Sequence, residues 1–450
     1  MTRKKEKIKL SDHFGYGRLL RFTIPSIAMM IFTSIYGVVD GFFVSNFVGK
    51  TPFAAVNFIF PFLMILGSVG FMFGTGGTAI VASTYGEGKP ELANRYFSLF
   101  VYVAFGLGVI FAILSILFMR PIAMALGAEG EILDNCVLYG RIIMCAMPFA
   151  VLQYLFQNFC VAAEQPKLGL FVILAAGFTN MILDVVLVIM LPQAYKLAGA
   201  AVATALSQTV GGGIPLIYFF RKNPSFLRLG KTSFNGRIIW KACVNGSSEF
   251  MSNVAMNLVG MLYNIQLLHY AGDDGVAAYG VMMYVSMIFA GVFFGYIIGT
   301  APVISYHHGA GNHAEKRSVL RKSLVVISIT SLVMLGAAQL LARPLSGIFV
   351  SYSPALMELT VRGMRIYAFS FLLMGFAIFV SSFFTALNDG VTSAIVSFLR
   401  TLVFQLGAVL LLPAIWGVDG IWLSSVMAEL ITLGISCFLL FLMRKRYGYM

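Results

Sequence analysis

Long apolar runs separated by short polar breaks dominate the chain. A bilayer core needs roughly 20 apolar residues per helix. On that ruler twelve runs qualify, beginning near residues 20, 53, 95, 136, 168, 198, 244, 276, 320, 362, 391 and 420. Alternation of period two, the mark of an outer-membrane barrel, is absent. The expected fold class is therefore all-α integral membrane, with twelve transmembrane helices. An even number of spans puts both termini on one side, and the basic residues test this. Of 31 Lys and Arg, 23 fall on the side of the termini, seven fall opposite, and Arg400 lies inside a span. By the positive-inside rule both termini and the central linker are expected in the cytoplasm, making the chain a multi-pass protein of the cytoplasmic (inner) membrane.

The pattern repeats. A shift of 223 residues lays Ala54-Ala55 on Ala277-Ala278, Gly76 on Gly299, Gly140 on Gly363 and YGEGKPELANR on HGAGNHAEKR. After one inserted residue Ala162 meets Ala386, and after a further small gap LPQAYKLAGA faces LPAIWGVDGI. Each half holds six spans in the same orientation, so the repeats are parallel and related about an axis along the membrane normal. The expectation is two pseudo-symmetric six-helix bundles around a central cavity: a lobe over 1–222, a cytoplasmic linker over 223–240 and a lobe over 241–450.

Composition agrees and narrows the function classes. The chain is 59% hydrophobic and 11% charged, against about 25% charged in soluble chains. A net charge of +13 would point to nucleic acid only as a basic patch on a soluble fold. Here the charges sit between spans, so the bilayer is the expected partner and nucleic acid is not. The segment TRKKEKIK resembles a signal-peptide head, but a run of about 25 apolar residues follows with no small-residue cleavage site, so it reads as the approach to the first span. The five cysteines lack C-x-x-C spacing and are expected as small core residues. The glycine-rich YGEGKPE follows a span and lacks the Walker lysine spacing. His307, His308 and His313 are expected in the loop after span 8 rather than around a metal. No nucleophile and base, and no ligand cluster, stands at membrane depth, so neither enzyme chemistry nor a cofactor is expected.

Four acids do stand at membrane depth: Asp40 in SIYGVVDGFF, Asp184 in span 5, Glu249 near the start of span 7, and Glu429 in span 12. Such residues are costly there and mark ion pathways or pairs. Tyr36 precedes Asp40 by one turn and Asn180 precedes Asp184 by one turn, so each acid shares a helix face with a polar partner. Two carboxylates in a low-dielectric bundle cannot both stay ionised cheaply unless a cation sits between them. A proton or a dehydrated sodium ion meets that need. Their repeat positions, Tyr263 and roughly Gly407, are uncharged, which confines this chemistry to the first half. Arg400 and Glu429 are expected to form a structural pair, and Glu249 is a candidate second proton- or cation-binding group. Met261, Met282, Met283 and Phe289 are candidates to line a soft apolar cavity, and Pro25 is a candidate bend or start signal for the first span.

The motifs IPSIAMM, SIYGVVD, NMILDVVL and AGAAVATALSQ, with the doubled six-span plan, resemble the multidrug and toxic compound extrusion (MATE) family and its DinF-like branch. The resemblance implies two lobes, alternating access, and antiport of a drug-like substrate against protons or sodium. It would make Asp40 the residue whose protonation switches the first lobe, with Tyr36, Tyr139, Asn158, Asn180, Asp184 and Thr204 as its polar network. Asp40, Asp184, Asn180 and Thr204 would be the ligands of a sodium ion. An essential acid in span 10, known in another branch, has no counterpart in FLLMGFAIFVSSFF. The expected function is a monomeric cation-coupled (H+ or Na+) antiporter exporting amphipathic, cationic small organic molecules. The other reading is a lipid-linked saccharide flippase of the same wider superfamily. A flippase would be expected to line its cavity with several Arg or Lys, and the only mid-span basic residue is Arg400.

Overall fold

The structure, a computed structural model, describes residues 8–449. Among them every regular element is helical. The helices are α1 (Tyr16–Phe43), α2 (Lys50–Gly86), α3 (Pro90–Ala125), α4 (Gly130–Cys145), α5 (Met147–Ala162), α6 (Pro166–Asp184), α7 (Lys196–Phe220), α8 (Gly236–Gly309), α9 (His313–Val350), α10 (Pro354–Tyr367), α11 (Phe369–Ala386), α12 (Gly390–Phe398), α13 (Leu406–Leu411), α14 (Pro413–Trp416) and α15 (Val418–Tyr447). Ten described helices are long and apolar enough to cross a bilayer, and α4 with α5, bent by 58°, make an eleventh crossing. The 74-residue α8 supplies two crossings, because Gly272 breaks it at φ 63°, ψ −156°. Only a residue without a Cβ takes that conformation cheaply, so AGDDG turns the chain back at the far end. The twelve expected spans are thereby accounted for.

Each half has its own core. Phe97, Phe156, Phe159 and Phe219 lie in the first, and Tyr263, Tyr279 and Trp422 in the second. A third cluster joins Leu10 and Phe14 to Phe293, Phe379, Phe383 and Tyr449 at the end of the molecule that carries the termini. There the halves meet backbone to backbone: a Cβ at Gly86 would strike the Tyr306 carbonyl, and one at Gly309 would strike the Ser83 carbonyl. These two contacts are each other's repeat equivalents, 223 residues apart. Asn388 Nδ2 donates to Ser83 Oγ across the same seam at 2.9 Å.

The segment before α1 straps the halves together. Leu10 N donates to Glu164 Oε1 at 2.9 Å, Phe14 N donates to Glu315 Oε1 at 2.8 Å, and Lys322 Nζ donates to the Phe14 carbonyl at 2.6 Å. Farther along α1, Ser34 Oγ reaches the Met287 carbonyl at 3.1 Å. Towards the other end α8 leaves Met256, Met261, Ile265 and Leu268 exposed.

Several expectations change. The non-helical connection between the halves ends at Asn235, and 236–240, expected as linker, are the first turns of α8. His307 and His308 close α8 and His313 opens α9, so they belong to helix ends rather than to a loop, and His307 is buried. The bilayer ruler measures apolar length, and these helices continue past it. Pro25 lies inside α1 rather than at its start. Cys136 and Cys160 are buried, whereas Cys145 and Cys437 are exposed.

Candidate functional site

Asp40 lies near the end of α1, Asp184 is the last residue of α6, and each is followed within four residues by a π-helical turn, at Val44–Val48 and Val185–Ile189. Such wide turns interrupt regular helices often at functional positions. The fold brings the two carboxyl groups face to face. Asp184 is fully buried, Asn180 is 2% exposed, and Asn180 Nδ2 donates a long 3.4 Å hydrogen bond to Asp40 Oδ1. Both carboxylate oxygens of Asp184 and the amide oxygen of Asn180 meet no hydrogen-bond donor. Three buried acceptors without a donor are expensive, because desolvation is not repaid. A small cation is what such a cluster is complementary to.

The remaining polar groups surround this pair in two layers. Tyr139 of α4 turns its phenol to Thr204 of α7 and lies within electrostatic reach of both acids. Tyr36 turns its phenol to Gln153 of α5. Neither Gln153 nor Gln157 stood among the expected site residues. The available signal was three amides, Gln153, Gln157 and Asn158, on successive turns of one apolar span, and all three are buried.

Asn158 is placed differently from the expected acid network. Its amide donates to the Tyr154 carbonyl at 3.4 Å, and its side chain lines a cavity of about 120 Å³ between the halves. That cavity is walled by α1, α2 and α5 on one side and α8 and α11 on the other. Glu249, Ser252 and Asn253 supply its polar groups from α8, facing the apolar Met30, Phe71, Met256 and Phe294. Glu249 is its one acid. The methionines that line it are Met30 and Met256, not the expected Met261, Met282 and Met283. Met282 is 2% exposed in the second core and Met261 is 65% exposed on the surface. Phe289 stacks edge-on against Phe371.

In the second half Arg400 and Glu429 form a buried fork: Arg400 Nε lies 2.8 and 3.1 Å from the two carboxylate oxygens and Nη2 2.6 Å from the first. Beside them lies the counterpart of the acid site. Tyr263, the repeat position of Asp40, bonds through its hydroxyl to Ser425 Oγ at 2.8 Å, and Gln405 Nε2 donates to the same oxygen at 3.0 Å. Continuing the alignment of LPQAYKLAGA with LPAIWGVDGI sets Ser425 opposite Thr204. Among the described residues no group of three His, Cys, Asp or Glu could hold a metal ion.

Comparison with known proteins agrees with this architecture. The MatE family model matches residues 25–186 and 250–409. The multidrug export protein MepA of Staphylococcus aureus (strain NCTC 8325 / PS 47) is 23% identical over 432 residues, covering 95% of this chain and 94% of its own. MepA of Staphylococcus saprophyticus is 24% identical over 430 residues with the same coverage. The fold matches an outward-facing multidrug resistance MATE family transporter of the MOP superfamily with a TM-score of 0.91 at 20% identity, covering 99% of both chains. A MOP superfamily transporter from Pyrococcus furiosus matches with a TM-score of 0.87 at 21% identity over 96% of each chain. With its family model spread over both halves and its helices long enough to cross a bilayer, this multi-pass membrane protein belongs to the MatE family, that of the multidrug and toxic compound extrusion transporters.

Proposed function

We propose that the chain is a cation-coupled antiporter that exports amphipathic, cationic, drug-like compounds by alternating access, with both termini in the cytoplasm. The observation that carries this reading is the Asp40–Asp184 pair with the unpaired buried acceptors of Asp184 and Asn180, beside a cavity between two lobes whose one acid is Glu249. The coupling ion is a substrate, not a resident cofactor. A proton or sodium ion entering between the carboxylates cancels their repulsion, and its departure restores it. Asp40 and Asn180 hold the first position, Asp184 the buried one, and Thr204 with Tyr139 the neighbouring polar wall.

Alternation follows from how α1 is built. Its first turns pack on the second crossing of α8 at the seam, and its last turn carries Asp40. Pro25 removes one backbone hydrogen bond within the stretch that packs on α8. A change of charge at Asp40 therefore reaches the lobe interface along one helix that is weakened at a defined point. With the termini cytoplasmic, the closed seam and strap are the inner gate, and the conformation is outward-facing. The cavity offers a cation one carboxylate, four apolar walls and several uncharged polar groups, a donor set that fits amphipathic cations of varied shape. A pyrophosphate-bearing lipid would need basic groups there, and Arg400 is already held by Glu429.

The test is efflux of a cationic dye from everted membrane vesicles under an imposed pH gradient and then a sodium gradient. Wild-type protein should respond to one of them, and Asp40→Asn should abolish the response while inserting and folding normally. Undiminished gradient-driven efflux by Asp40→Asn sinks the coupling reading; a response to neither gradient in the wild type sinks antiport itself.

A further inference from the structure

The connection between the lobes is built unlike a loose loop. Between Arg221 and Lys241 it carries six basic residues and no acid. It is laid along the outer side of α3. Asn94 Oδ1 accepts from Arg228 N at 2.6 Å, Ser98 Oγ accepts from Gly230 N at 3.1 Å, the Arg95 carbonyl accepts from Thr232 Oγ1 at 2.9 Å, and Tyr102 OH donates to the Gly230 carbonyl at 3.2 Å. Leu227 and Leu229 are buried against the lobe. The segment from Arg228 to Thr232 thus lies against the first turns of α3, between Asn94 and Tyr102. At 36 residues, α3 is about 54 Å long against a hydrocarbon core of about 30 Å. Each of its ends therefore projects through the headgroup layer, and the linker is fixed at that depth.

What the linker turns outward is equally specific. Phe234 is 82% and Trp240 71% exposed, Tyr102 beside them is 40% exposed, and Arg228, Lys231, Arg237 and Lys241 are all exposed. None of the linker's basic residues is in an ion pair among the described residues. Large aromatics left bare beside unpaired cations suit a single environment, the boundary between acyl chains and anionic headgroups. We infer that the linker is an interfacial anchor that binds anionic phospholipid of the leaflet on the termini side, with Phe234 and Trp240 inserted among the acyl chains and Lys231, Arg237 and Lys241 on the phosphates. Trp240 lies one turn before the α8 face that meets α2 at Gly76, so lipid held there bears on the seam between the lobes. The inference needs only a membrane-spanning chain and stands independently of what the protein exports.

Trp240 makes the inference directly readable. The chain has three tryptophans; Trp422 is fully buried in the second core, and Trp416, 53% exposed, lies on the crossing that leads to the opposite end. Full-length protein carrying Trp416→Phe would be titrated in detergent with phosphatidylglycerol or phosphatidylcholine, each brominated on its acyl chains, while fluorescence is recorded. Brominated phosphatidylglycerol should quench at a lipid ratio about a hundredfold lower than phosphatidylcholine, in line with roughly fivefold for each of the three basic residues near an anionic surface. Lys231→Gln with Arg237→Gln and Lys241→Gln should remove that difference but leave quenching itself. Millimolar inorganic phosphate should not compete. Equal quenching by both lipids, absence of quenching by either, an unchanged preference in the triple variant, or displacement by phosphate would each overturn the anchor.

Discussion

Replacing Asp184 by Asn tests the cation site at its most buried point. The substitution keeps shape and removes one charge from a position with no solvent exposure and no donor. A cation held about 4 Å from a carboxylate gains about 4 kcal/mol at an effective dielectric of about 20, equivalent to roughly three orders of magnitude in occupancy. Asp40 is only half-buried, and water on its side screens the site; halving the attraction leaves about 2 kcal/mol, or roughly thirtyfold. The concentration of coupling ion that half-drives efflux should therefore rise between thirty- and a thousandfold.

The assay is dye efflux from everted vesicles across a titration of the driving ion, paired with thermal unfolding of the purified variant. Stability should hold, since the amide keeps the side chain's shape and can still donate to the Asp40 carboxyl group that faces it. That combination separates the cation reading from a structural one, in which export and stability fall together. Wild-type half-saturation in Asp184→Asn would refute the site, and so would a large loss of stability.

Arg400→Met alone should cost about 3–5 kcal/mol of stability by stranding the buried Glu429, and Arg400→Met with Glu429→Leu should recover most of it; thermal melts that show the double variant no better than the single one would contradict the pair. Glu249→Gln should raise the half-saturating concentration of a cationic dye by roughly tenfold, about 1.4 kcal/mol, and leave a neutral drug unaffected; equal effects on both would remove Glu249 from substrate recognition. Gly309→Val inserts side-chain atoms against the Ser83 carbonyl and should hold the seam open. Export should stop, and Ser83→Cys, at a position 7% exposed in the closed seam, should react faster in that background with an impermeant maleimide added to everted vesicles; unchanged reactivity would show that the seam is not the gate.

The spans, the repeat and the ion pair were legible in the sequence for a common reason. Apolar length is set by bilayer thickness, and a charge at membrane depth must find a partner or a cavity. The single mid-span Arg left Glu429 as its natural match. What stayed hidden depends on rotation about helix axes. In a span that is apolar all round, periodicity cannot separate lipid-facing Met261, core Met282 and cavity-lining Met256. Helix ends were hidden as well: His307 and His308 read as loop because they are polar, and 236–240 read as linker because Gly236 and Arg237 close a polar stretch, yet their backbone is helical. The amides Gln153 and Gln157 carry no charge to mark them in the sequence, although a buried uncharged amide faces the same demand for partners.

The two lobes share a scaffold and differ in what that scaffold asks of a ligand. In the first, Asp184 and Asn180 leave three buried acceptors without donors beside Asp40, an arrangement complementary to something positive between the two acids. In the second, Tyr263 and Gln405 both bond to Ser425, and the neighbouring charges neutralise each other through the Arg400–Glu429 fork. A neutral network whose hydrogen bonds are already made gains nothing by admitting a cation and resists rearrangement. A charge-deficient site, by contrast, has two arrangements, filled and unfilled, that differ in electrostatic free energy. In the proposed antiport, alternation needs an element of that second kind on only one side of the seam; the other side would serve best as a rigid wall against which helix α1 works.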